Sequence, residues 1–189
     1  VGAVAAPGRA AELHAAMGGG DVGGASTGAG ADPDAAGAAE AFAVQAFDVY
    51  RVLLESRCEA LFEHALRVEL VVPLVEAALA LMQMTAAQHR AWSADPEEFV
   101  AQEDDMTSMG NVRSAGCDLL LDLFSCAAGE ARRAALFSAL ASALCAPLGA
   151  AAPGAAAQWR RSEVALLSIC CCAEPLLAHD AERQAGGAA

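Results

Sequence analysis

The sequence predicts an all-α chain of antiparallel helix pairs, on three observations. Alanine, leucine, glutamate and arginine, all good helix formers, recur throughout. The β-branched and aromatic residues that favour strands are sparse, aromatics making up 5% of the chain. Apolar residues also return at helical spacing in several stretches, which proline, glycine and acidic breaks separate. With 56% apolar residues the 189-residue chain has enough for a core, although alanine contributes little transfer free energy per residue. Its length fits one domain or part of something larger.

Residues 1–36 are rich in glycine and alanine and bury too little apolar surface to offset the entropy of ordering them. They are expected to be a flexible segment. Their glycines do not make the G-x-G-x-x-G pattern of dinucleotide sites. The segment 37–178 is read as helical hairpins. Its first helix starts near Ala38, with Phe42, Ala46, Val49 and Leu53 as the apolar stripe and Glu40, Asp48, Arg51 and Glu55 kept off it, and ends near Ser56. A second helical stretch follows from Glu59, with Pro73 expected in the first turn of its last part. Residues 85–110 break this rhythm. They carry Asp95, Glu97, Glu98, Glu103, Asp104 and Asp105 with no base after Arg90, and are expected to be an acidic loop between repeats.

The next helix begins near Asn111 and places Val112, Ala115, Leu119 and Leu123 on one face, with Asp118 and Asp122 on another. Its partner runs from about Glu130 to Ala146, until Pro147 and Gly149 stop it. A further helix covers about 158–177, with Pro175 kinking or ending it, and 179–189 are expected to be a disordered tail. The first helices of successive hairpins thus start near 38, 111 and 158. Setting aside the acidic stretch 85–110 makes their two offsets equal, at the length of a two-helix HEAT repeat. The fold expected is a HEAT-repeat α-solenoid fragment.

Charge and residue usage then narrow the function. The net charge is −13, which repels phosphate backbones and attracts basic proteins. Every base is arginine, so the chain has neither a P-loop lysine nor a Schiff-base lysine. The seven cysteines lack C-x-x-C spacing, and the adjacent Cys170, Cys171 and Cys172 point about 100° apart on a helix, so they are read as small apolar fillers. Reduced thiols in a helical core fit the cytoplasm or nucleus. His14, His64, His89 and His179 are scattered, and no G-x-S-x-G motif or metal-ligand spacing occurs. The acids lack the pattern of a calcium loop and have no fixed cleft for a carboxylate dyad. No enzyme, cofactor or metal is expected. The uncharged stretch 134–159 could span a bilayer by length, but alanine, serine, glycine, Pro147 and Pro153 make it a poor span.

The run 92–105, in which Trp92 and Asp95-Pro96-x-x-Phe99 precede Glu103, Asp104 and Asp105, is followed by Val112, Arg113, Asp118, Leu119 and Leu120. In order and spacing this resembles the karyopherin-β (importin-β) family of nuclear transport receptors, and the similarity extends over about 40–178. The stretches 1–36 and 146–157 depart from the family pattern. The resemblance implies an internal piece of a HEAT superhelix that binds nucleoporins, carries basic protein cargo such as core histone dimers from cytoplasm to nucleus, and releases it to Ran GTPase in its GTP form. No catalytic residue carries over. The six acids are then candidates for partner binding, since carboxylates speed encounter with a basic cargo. Trp92 and Phe99 are expected to pack back on neighbouring helices, and Arg113 is close enough in sequence that it could reach a loop acid. The rival reading is a helical-repeat scaffold or histone-chaperone-like module without transport activity.

Overall fold

A computed structural model describes residues 7–16, 33–56, 58–105, 111–127, 134–149 and 155–186. Among them every regular element is an α-helix: α1 (Pro7–Ala16), α2 (Pro33–Leu54), α3 (Glu59–Ala65), α4 (Val68–Leu81), α5 (Ala86–Ala94), α6 (Pro96–Asp105), α7 (Val112–Ala127), α8 (Ala134–Gly149), α9 (Ala155–Cys171) and α10 (Ala173–Gly186). The all-α expectation holds.

The core is centred on α7, whose Leu119, Leu120, Leu123 and Phe124 are fully buried. Each large apolar side chain taken from water contributes roughly 1.5–3 kcal/mol of transfer free energy, set against the entropy of ordering it. Around α7 pack α2 through Phe47 and Tyr50, α4 through Leu74, Leu81 and Met82, and α8 through Leu140 and Leu144. The Phe124 and Phe137 rings meet edge to face at 5.3 Å, joining the end of α7 to the start of α8. Polar contacts fix how α2 lies on α7. Glu40 accepts a hydrogen bond from the Val112 N–H at the start of α7, and Arg51 Nε donates to Asp122 Oδ2 at 2.7 Å farther along both helices. The two helices therefore run in the same direction. So do α7 and α9, because Arg113 meets Glu163 and, one turn on, Cys117 meets Cys171. In addition α9 touches α4, and α10 touches α7.

Several expectations about local structure are corrected. The stretch 85–110 is not a loop over its described part, because two helix starts are written into it. Thr85 Oγ1 accepts from the Gln88 N–H while Gln88 Oε1 accepts from the Thr85 N–H, a capping box that launches α5. Asp95 Oδ1 then accepts from the Glu98 N–H, and Pro96 occupies the first helical position of α6. Each cap is worth about 1 kcal/mol, enough to keep a short polar segment helical when a neighbour supports it. Residues 106–110 lie outside the described residues.

Within 1–36, expected to be flexible, α1 packs on α4 and α2 with Ala10 fully buried, and α2 begins already at Pro33. Alanine contributes little area, but its small side chain lets two helix backbones come close. Within 179–189, expected to be a disordered tail, α10 continues to Gly186. Its His179 ring stacks on Phe137 at 3.8 Å, which ties the segment to α8. The first helices of successive pairs start at Pro33, Val112 and Ala155, so the equal offsets inferred from sequence are not kept.

The buried face of α2 is Ala43, Phe47, Tyr50 and Leu54, one position round from the expected stripe, leaving Phe42 and Val49 about half exposed. Apolar residues occupy both sides of this helix, so periodicity alone does not select one. Pro73 lies inside α4 and not in its first turn. Pro175 acts as expected: lacking an N–H to continue α9, it sits in the first turn of α10 after a bend of 63° at Cys172. Among the described residues no single helix is long and apolar enough to cross a membrane.

Candidate acidic partner-binding site

The six acids singled out in the sequence cluster on one helix. Asp95 is the N-cap of α6, and Glu97 and Glu98 form its first turn, where carboxylates favour the positive end of the helix dipole. All three are exposed. Glu98 Oε1 also accepts from Gln102 Nε2 at 2.8 Å, one turn on. Glu103, Asp104 and Asp105 occupy the last turn of α6, and their side chains lie outside the described residues. A helix presents these groups at fixed 1.5 Å rises, where a loop would let them wander. Charges carried on a formed helix need little further ordering, so less entropy would be lost in a contact made through them.

Helix α6 packs on α5, and α5 is tied to the body by aromatic rings. The Trp92 ring lies nearly parallel to Trp159 of α9, with centroids 6.5 Å apart, and His89 contacts both rings. Trp92 does pack on a neighbouring helix, but it stays 41% exposed, while Phe99 is buried as expected. Arg160, next to Trp159, lies over its ring at 5.8 Å.

Among the described side chains Arg113 pairs with Glu163 of α9, while the side chains of Glu103, Asp104 and Asp105 lie outside the described residues. Arg113 is 4% exposed and turns inward, where Nη2 meets Glu163 Oε1 at 2.5 Å, and Nη1 donates to Glu163 Oε2 at 3.3 Å and to the Met82 carbonyl at 2.8 Å. One guanidinium therefore joins α7 to α9 and to the end of α4, as the planar fork of arginine allows and a lysine would not. Glu163 lies 50 residues on in the sequence, so spacing along the chain does not reveal this pair.

The cysteines are also more diverse than fillers. Cys172 is fully buried, but Cys58, Cys145 and Cys170 are exposed and Cys117, Cys126 and Cys171 are half-buried. Cys117 and Cys171 face each other with Sγ atoms 3.0 Å apart. As neutral thiols, Cys171 donates to Cys117. When Cys171 ionises, the Cys117 S–H donates back to it. That hydrogen bond, helped by the Arg113 charge, lowers the Cys171 thiol to about 7 against desolvation and Asp118. The same bond, followed by burial, raises Cys117. Burial, with Cys171 beside it, pushes Cys172 up to about 12. No sequence motif marks this pair, since its members lie on two helices 54 residues apart. Among the described residues no three His, Cys, Asp or Glu side chains are grouped to hold a metal ion.

No family model matches this chain, and neither a curated protein nor a solved structure matches it.

Proposed function

We propose that this chain is part of a nuclear transport receptor of the karyopherin-β class, close to importin-9, in which the acidic helix α6 contacts a basic protein cargo such as a core histone dimer. The observation that carries the reading is the capped helix α6, whose exposed Asp95, Glu97 and Glu98 open an acidic run that continues to Asp105, following Trp92 in the order that resembles that family. A strongly basic protein gains encounter rate and register from such a row, and a chain of net charge −13 adds a long-range attraction. Two further features support a HEAT-like array. The helices α2, α7 and α9 lie side by side in one direction, as the first helices of stacked pairs do, and the end of α7 meets the start of α8. The exposed Phe42, Val49 and Val52 give α2 an apolar face suited to a further neighbour. Release by Ran in its GTP form, binding to nucleoporins and shuttling between cytoplasm and nucleus belong to the same reading.

The contact of α9 with α4 favours a second reading, because strict stacking would keep the first pair away from the third. On that reading the chain is a compact helical scaffold or histone-chaperone-like module, with the same acidic helix and no transport cycle.

The test is binding of histone dimers to the chain and to a variant with Glu97, Glu98, Glu103, Asp104 and Asp105 changed to their amides, which keeps helix length and shape. Affinity should fall about tenfold or more and depend less steeply on salt. Equal affinity of the two proteins at low and moderate salt removes α6 from the cargo site. Ran separates the two readings: a full-length receptor releases cargo to the GTP form, and a scaffold ignores nucleotide state.

A further inference from the structure

We propose that Cys117 and Cys171 form a modification site, a thiol pair that a small-molecule disulfide such as oxidised glutathione converts into a reversible disulfide latching α7 to α9.

The geometry carries the inference. The two sulfurs are 3.0 Å apart, about 1 Å beyond a disulfide bond length of ~2.0 Å, so closure needs a small shift and no rearrangement. The helices are already held in register one turn away by the Arg113–Glu163 pair, which keeps the thiols opposed. Both are half-buried, so a small disulfide can approach Cys171 while water does not freely separate the sulfurs. Their roles differ. Cys171 is the thiolate-prone member and therefore the nucleophile, whereas Cys117 keeps its proton and waits as the resolving thiol. Successive positions on α9 point about 100° apart, which leaves Cys170 facing solvent and Cys172 sealed in the core.

The chemistry balances with one equivalent of oxidant. The Cys171 thiolate attacks one sulfur of oxidised glutathione, breaking its S–S bond and releasing one glutathione thiolate. Cys117 then gives its proton to the solvent or to that thiolate. Its sulfur attacks Cys171 Sγ, breaking the mixed disulfide and releasing the second glutathione. Two protein thiols are oxidised by two electrons and one glutathione disulfide is reduced to two thiols. This site stands independently of the transport reading, since it depends only on the packing of α7 on α9.

The experiment is oxidation of the reduced protein with glutathione disulfide at neutral pH, alkylation of remaining thiols, tryptic digestion and mass spectrometry. With no lysine, cleavage falls at arginine only, giving peptides 114–132 and 162–183. The expected product is these two peptides joined, lighter by two hydrogens, with fragment ions placing the link at Cys117 and Cys171. Dithiothreitol should separate them. The C117S and C171S variants should lower the yield about tenfold or more, while C170S and C172S should keep it, with helix content by circular dichroism checked for each. The wild-type digest decides even where a variant fails to fold. A stable mixed disulfide without the link, or a link through Cys126 or Cys170 in equal amount, overturns the proposal.

Discussion

Replacing Glu163 by glutamine removes one charge and almost no volume, which isolates the electrostatic worth of the clamp between α7, α9 and α4. The Arg113 guanidinium is 4% exposed, and the Glu163 side chain is 26% exposed. The two losses are therefore unequal. In Glu163→Gln the cation stays in the core with the Glu163 charge gone and one amide oxygen in its place, at a cost of about 3 kcal/mol, the lower end for breaking a buried pair. In Arg113→Met the stranded carboxylate can turn to water. The remaining loss is the Met82 carbonyl, which forfeits its 2.8 Å donor, and the total is about 2 kcal/mol.

The double variant Arg113→Met with Glu163→Leu removes both charges of this pair and leaves the Met82 carbonyl without its arginine donor. It should lose about 2 kcal/mol, no more than the arginine variant alone, so the two changes are coupled by about 3 kcal/mol. Urea unfolding followed by circular dichroism measures each corner, with the slope checked for constancy. The glutamine variant should also melt about 6–12 °C lower. Additive losses, near 5 kcal/mol in the double variant, would refute the reasoning, because they would mean that the two side chains act on separate partners.

Gly116 tests the closeness of α4 and α7. A Cβ there would lie 2.3 Å from Met82 Sδ and 2.7 Å from its Cγ, and Met82 is fully buried, so Gly116→Ala should cost about 1–2 kcal/mol despite its better helix propensity. In a Met82→Ala background the same change should be neutral or stabilising, as read by thermal melting; an equal penalty in both backgrounds would clear Met82 of the clash. Tyr50, whose hydroxyl donates to the Ala65 carbonyl, is pushed up to about 12 by burial, and Cys172 to about 12 likewise. Unfolded, these groups lose their protons near 10 and 9, so the unfolded chain binds fewer protons than the fold and stability must fall from about pH 9 towards pH 12. Tyr50→Phe should cost about 1 kcal/mol at neutral pH and flatten that alkaline decline; a decline unchanged in the variant would sink the assignment.

The helical class was legible because composition and apolar spacing act locally and agree along the chain. Local signals were also sufficient for the acidic stretch, where Thr85 with Gln88 and Asp95 with Pro96 are start signals that a count of charges overlooks. Other features were not legible for a physical reason. The choice between Phe42–Val49 and Phe47–Tyr50 as the inner face of α2 is made by α7, through Arg51 with Asp118 and Asp122, and nothing inside α2 prefers it. The same holds for Arg113, whose partner Glu163 is 50 residues away, and for Cys117, whose partner is one of three adjacent cysteines that spacing cannot tell apart.

The N-terminal half of α9 bears on both proposals at once. Trp159 stacks on Trp92 and so holds α5, and through it the carboxylates of α6, while Glu163, one turn later on the same helix, is gripped by Arg113. That guanidinium also binds the Met82 carbonyl, three residues before the Thr85 cap from which α5 starts. The acidic hairpin is therefore anchored at its root and at its flank by groups that meet on α7 and α9. A latch at Cys117 and Cys171 would close the same junction two turns farther along α9. Because rigid helices transmit a rotation at one end to the other, the orientation of the carboxylate row and the state of the thiol pair share one mechanical element, the seating of α9 on α7.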